Sequence, residues 1–117
     1  MKAYVYVIQA GLCGPVKIGW AVDPVLRLRG FQTSHFLELR LIASQQFSSR
    51  SLAQAVEADL HKEFSKYRIR GEWFRPEGEL EQMLFKVSTG ETLSYFTELN
   101  RQVESIGDIA YQIRGVQ

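Results

Sequence analysis

A single cysteine, Cys13, means that no disulfide can form within the chain. That agrees with a reducing compartment, and a cytoplasmic location is expected. The thiol lies among Gly11, Gly14 and Pro15, a turn context that reads as a loop position rather than a nucleophile. No apolar run approaches the ~20 residues of a membrane-spanning helix, so no membrane partner is expected. Met1 leads straight into a strand pattern, with no signal peptide. Internal repeats and low-complexity segments are missing. So is any evident zinc finger or helix-turn-helix, and nothing in the chain states a recognition sequence. There is also no Asp/Glu cluster at metal-ligand spacing, which excludes a site built from many carboxylates.

What remains is an ordinary globular composition, 45% apolar and 23% charged over 117 residues. This suits one domain with a short appendage, and the expected division is 1–88 for the domain and 89–117 for a helical extension. The net charge of +1 hides an asymmetry. Residues 1–75 hold 11 Lys and Arg against 6 Asp and Glu, whereas residues 76–117 hold 3 against 7. A basic part with an acidic tail is compatible with phosphate binding by the basic part.

Tyr4 to Gln9 alternates as a strand does and is rich in β-branched and aromatic residues. The turn residues Gly11, Gly14 and Pro15 let the chain double back into a second strand, Val16 to Gly19. Asp23-Pro24 opens a helix, with Asp as cap and Pro at the first helical position. That helix is expected to run to about Phe31, with Val25 and Leu28 inward and Gly30 near its end. The hairpin sets the Tyr6 phenol beside the Lys17 ammonium, and the helix brings the Arg27 guanidinium.

Leu37 to Phe47 reads as a third strand, with Leu39, Leu41 and Ala43 on one face and Glu38, Arg40 and Ile42 on the other. Ser51-Leu52-Ala53-Gln54 has a capping-box pattern, so the next helix is expected to start at Ser51. Its buried stripe would be Leu52, Val56, Leu60 and Phe64, with Glu57 and His61 four apart on a neighbouring edge. Glu72 to Phe74 is extended, Pro76 and Glu77 begin another helix to about Val87, and Ser88-Thr89-Gly90 is a hinge. Glu91 to Ile106 is amphipathic and would pack on the domain or form a dimer face. The class is therefore α+β, a small three-stranded antiparallel or mixed sheet flanked by helices.

Taken together, Tyr4-Val5-Tyr6, Lys17-Ile18-Gly19, Arg27, the run Val56 to His61 and Gly71-Glu72-Trp73-Phe74 resemble the GIY-YIG endonuclease superfamily. The last element resembles its phage open-reading-frame and meiotically-up-regulated-gene branch, and the resemblance spans residues 3–76. It implies a compact nuclease fold and hydrolysis of DNA phosphodiesters with Mg²⁺ or Mn²⁺. The implied roles are Glu57 as the one metal ligand, Arg27 as a phosphate clamp, and Tyr6 and Lys17 as catalytic groups. Tyr4, Gly19, Arg29 and His61 would line the substrate. Two positions depart from the family pattern: Lys17 stands where a tyrosine is usual, and Phe31 where some members carry histidine or tyrosine.

Tyr6 and Lys17 compete as general base. Nearby cations favour a phenolate, so the Tyr6 pKa is expected to fall towards neutral, with Lys17 a charged helper. Glu72 is a candidate partner for a cation, and Trp73 and Phe74 are read as packing residues. The alternative reading is the same fold as a catalytically silent module that binds nucleic acid or protein. A third is an interaction subunit acting through the acidic C-terminal helices.

Overall fold

The computed structural model describes residues 2–93. The expected helix Glu91 to Ile106 lies outside the described residues, apart from its first three positions. Of these, Leu93 is buried in the core.

The elements follow in chain order as β1 (Ala3–Ala10), β2 (Val16–Ala21), α1 (Pro24–Gln32), β3 (Leu39–Phe47), α2 (Arg50–Glu63), a short 3₁₀ turn, β4 (Arg68–Arg70), β5 (Trp73–Phe74) and α3 (Gly78–Ser88). The class is α+β, as the sequence indicates. The sheet, however, has five strands in the order β3-β1-β2-β5-β4, all antiparallel, rather than three. The two extra strands are three and two residues long, too short for alternation to register in a sequence. They form around Gly71, whose φ of +57° makes the tight turn between them.

The sheet is covered on both faces. One face carries Val5, Val7, Val16, Ile18, Phe47 and Phe74, packed under Ala53, Val56 and Leu60 of α2, Phe64 at its C-cap, and Leu80 and Met83 of α3. The other carries Tyr6, Ile8, Ala10, Ala21 and Leu39, with Leu28 and Phe31 of α1 and Trp73 against them. β1 lies between β3 and β2, which is why seven of its eight side chains are buried and its sequence is nearly all apolar.

Local details differ from the sequence pattern in three places. The first is the cap of α2, which is Ser49, its side chain accepting from the Leu52 N–H at 3.1 Å, not Ser51. With the helix starting earlier, the buried stripe is Ala53, Val56, Leu60 and Phe64, and Leu52 is exposed.

The second is α1, which runs through Gly30 to Gln32 and turns Val25 outward. Its inward residues are Pro24, Leu28 and Phe31. The third is a bulge between Val7 and Ile8 in the β1–β3 pairing, where Val7 faces Ala43 but Ile8 faces Leu41. The extra residue flips the alternation, so Leu39 and Leu41 face α1 while Ile42 and Ala43 pack against the α2 side.

Candidate active site on the open edge of β2

β2 is an edge strand for half its length. β5 pairs with it at Val16 and Lys17, and the Ile18 N–H still reaches the Glu72 carbonyl at 3.1 Å. Past that point β5 has ended, and the outward N–H of Trp20 would lack a strand partner. Helix α2 supplies one. The Trp20 backbone N–H donates to the Glu57 carboxylate. One helical turn further on, His61 Nε2 lies 2.8 Å from the Ile18 carbonyl oxygen. The four-residue spacing of Glu57 and His61 thus matches the two-residue spacing of outward groups on a strand. His61 Nδ1 is also engaged, 3.1 Å from Arg68 Nη2, and its ring meets Phe74 edge-on at 5.0 Å. Both ring nitrogens therefore hold α2 and β4 to the sheet edge.

Opposite this edge stands Tyr6. It pairs in register with Gly19, and a Cβ on Gly19 would lie 2.5 Å from the Tyr6 hydroxyl and 3.1 Å from Glu72 Oε1. The missing side chain leaves space that the phenol and a carboxylate both approach. Tyr6 is wholly buried, and its hydroxyl has no partner in good hydrogen-bond geometry, although the Arg27 guanidinium reaches towards it. One oxygen of Glu57, Oε2, is likewise buried without a partner. Buried polar atoms without partners are rare in folded proteins, and two on side chains that act on each other electrostatically ask for an explanation.

The electrostatics agree with that geometry. Burial, then the negative charge of Glu72, pushes the Glu57 carboxyl up to about 7. The Trp20 N–H and Lys17 pull the other way without compensating. Burial, then Glu72, pushes the Tyr6 phenol up to about 12, although the Arg27 guanidinium is near enough to lower it. This reverses the expectation of a phenol drawn towards neutral pH. The first reason is burial of the phenol, and the second is Glu72, which also takes the cation meant to act on Tyr6: Lys17 Nζ lies 3.0 Å from Glu72 Oε1. The ammonium is mostly buried, and it sits 4.7 Å from the centre of the Phe31 ring and 5.7 Å from that of Trp73.

The other expected residues lie as follows. Arg27 stands exposed on α1, on the wall of a groove of about 730 Å³ that Trp20, Asp23, Phe31 and Arg50 also line. Asp23 does not face Arg27 as an ion partner in its cap role; its carboxylate accepts from the Leu26 N–H at 3.1 Å. Arg29 is exposed on the same helix. The Tyr4 hydroxyl donates to Gln46 Oε1 at 3.1 Å, which ties it to β3 rather than to Glu57.

So Tyr6, Lys17, Gly19 and Glu57 come together with Arg27 nearby, and Tyr4 and Arg29 sit further out. Sequence reasoning noticed Glu72 as a partner for a cation, but not that it converges with Glu57 and Tyr6. It missed the Trp20 N–H altogether, because a backbone group has no sequence signal.

Whether these residues suit a divalent cation can be judged from the donor set. Among the described residues no three His, Cys, Asp or Glu side chains cluster as a metal cage. A half-buried carboxylate with one unpartnered oxygen, beside a second carboxylate, is short of positive charge. That fits a cation held by one or two carboxylates and otherwise by water, the usual preference of Mg²⁺.

Residues 3–88 match the T5orf172 domain. No curated protein and no solved structure matches the chain.

Proposed function

The chain belongs to the T5orf172 domain family, a phage-associated domain related to nucleases, and from that premise we propose that it is a metal-dependent endonuclease of GIY-YIG type acting on DNA. The observation that carries the reading is the pair of buried, unpartnered oxygens, Tyr6 Oη and Glu57 Oε2, on side chains close enough for the Glu57 charge to act on the phenol. A fold gains nothing in stability from two such atoms.

In this reading Glu57 holds Mg²⁺ or Mn²⁺, with Glu72 close by. The cation would supply positive charge to the phosphate and to the departing oxygen. Arg27 presents its guanidinium from α1 as a two-pronged clamp on the scissile phosphate. The Trp20 N–H fixes the Glu57 carboxylate, and His61 fixes the helix that carries it.

Tyr6, once its own hydroxyl proton has been lost to solvent, would take a proton from the attacking water on its phenolate oxygen. With a pKa of about 12 it is no base in the cation-free protein. Burial holds the phenol up first, and neutralising Glu57 and Glu72 would remove the two carboxylates that add to it, which leaves Arg27 to favour the phenolate. Lys17, clamped by Glu72, keeps a charge beside the phosphate and orients that carboxylate.

The test is nicking of supercoiled plasmid with Mg²⁺ or Mn²⁺, for the parent and for Glu57→Ala. The parent is expected to nick and Glu57→Ala to lose cleavage while keeping DNA affinity, because affinity comes mainly from Lys and Arg contacts to phosphates. Full cleavage by Glu57→Ala would overturn the site assignment. Absence of nicking by a folded parent that still binds DNA would favour the silent binding module.

A further inference from the structure

The loop between α1 and β3 carries an aromatic residue that packing does not explain. Phe36 is 94% exposed. Exposed aromatics are usually tolerated on loose loops, but this loop is pinned. The Gln32 side-chain amide donates to the His35 carbonyl at 3.1 Å and to the Leu37 carbonyl at 2.9 Å, and its oxygen accepts from the Leu39 N–H at 2.7 Å. The His35 ring is fixed as well, because Nδ1 accepts from the Leu37 N–H at 3.3 Å.

The rings themselves form a row. Phe36 stacks on His35 with centroids 5.9 Å apart and planes 12° from parallel, and His35 stacks on Trp73 at 6.0 Å and 30°. Trp73 in turn borders the Lys17 ammonium. The row therefore runs from solvent to the wall of the candidate active site. Beside it lies a groove of about 390 Å³ lined by His35, Phe36, Leu37, Ile69, Arg70 and Trp73. Among the described residues no acidic side chain lines it, and Ile69 is half exposed.

We propose that this aromatic ledge stacks an unpaired DNA base close to the scissile phosphate, which makes the preferred substrate a strand end, flap or gap rather than unbroken duplex. The proposal rests on the nuclease reading of the adjoining site. The chemistry fits an unpaired base because a flat apolar ring with a guanidinium beside it is sequence-tolerant and reads a π-face. A paired base keeps its faces inside the helical stack and cannot offer one. Pre-fixing the loop through Gln32 lowers the ordering cost of that contact.

The experiment measures equilibrium binding in EDTA, which uncouples it from cleavage. The probes are a short oligothymidylate and a hairpin duplex, tested against the parent, Phe36→Ala and Phe36→Trp. The expected result is that Phe36→Ala loses about tenfold or more on oligothymidylate, stays near the parent on the hairpin stem, and is restored by Phe36→Trp. The dependence of affinity on salt is expected to be the same for all three, because stacking releases no counterions.

Equal binding of oligothymidylate by the parent and Phe36→Ala would overturn the proposal, as would an equal loss on both probes. A parent that binds neither probe would overturn both this proposal and the nuclease reading. Selective stacking by a parent that never nicks DNA would leave the ledge standing and remove the nuclease reading. Plasmid nicking with unchanged oligothymidylate binding in Phe36→Ala would do the reverse.

Discussion

The two faces of the sheet are built to different ends. Under α2 and α3 lies a continuous apolar layer, from Val5 and Ile18 to Leu60, Leu80 and Leu93. Under α1 the layer is smaller and has Tyr6 at its centre. Lys17 rests its ammonium on Phe31 and Trp73 at the edge of this layer. The first face explains why the domain folds. The second, with the open edge of β2, accepts unpartnered oxygens and facing carboxylates that packing alone would remove. Two such faces on one sheet let stability and chemistry be altered separately.

The comparison is broken most severely on the apolar face. Leu60 is wholly buried in α2 between the sheet and its neighbours. Leu60→Ala is expected to lose about 2–5 kcal/mol, seen in denaturant melts, with cleavage lost only as the folded fraction falls. A smaller effect is expected where the two roles meet. In Gly19→Ala the new Cβ would sit 2.5 Å from the Tyr6 hydroxyl, on a ring that is buried and cannot swing away. The expected cost is about 1–3 kcal/mol, with cleavage reduced even under conditions where the protein is fully folded.

On the functional side the sign reverses. The Glu57 carboxyl is raised from 4.5 to about 7, so between those values the folded protein binds more protons than the unfolded chain. Stability should therefore fall as pH rises from about 4.5 to 7 and level off above that. Glu57→Gln is expected to flatten this slope and to melt above the parent at pH 8, with little difference at pH 4.5. Mg²⁺ should raise the parent's melting temperature but not that of the variant. A parent whose stability rises through this window would refute the buried, unpaired carboxylate.

The mildest effect on stability is expected from Tyr6→Phe. It removes a buried hydroxyl that has no partner in good hydrogen-bond geometry, only the approach of the exposed Arg27, so stability should stay level or rise by up to about 1 kcal/mol while cleavage is lost. A marked loss of stability in Tyr6→Phe would mean that the hydroxyl is bonded after all, and the contrast between the faces would be weaker than drawn.

Much of the framework follows from residues close in sequence. The alternation of Tyr4 to Gln9, the turn at Gly11 to Pro15, and the Asp23-Pro24 start of α1 all rest on local conformational preference. So does the helical period of Val56, Leu60 and Phe64, which faces the core whichever serine caps the helix. The five-strand order, the bulge opposite Ile8 and the outward turn of Val25 depend on which segments pair, and no local pattern carries that information.

The same boundary runs through the site. The chain alone determined that a phenol, an ammonium and a guanidinium would gather around one hairpin, because the turn and the helix cap place them there. Only the tertiary structure decided their charge states. β5 stops short, so α2 must close the edge of β2 with Glu57 and His61, and Glu72 arrives from β5's approach to capture Lys17. Burial and a neighbouring carboxylate then lift Tyr6 and Glu57, where cations in the sequence pointed to the opposite shift for the phenol. A pKa is set by distance and solvent access, which pairs of residues far apart in the chain acquire only on folding.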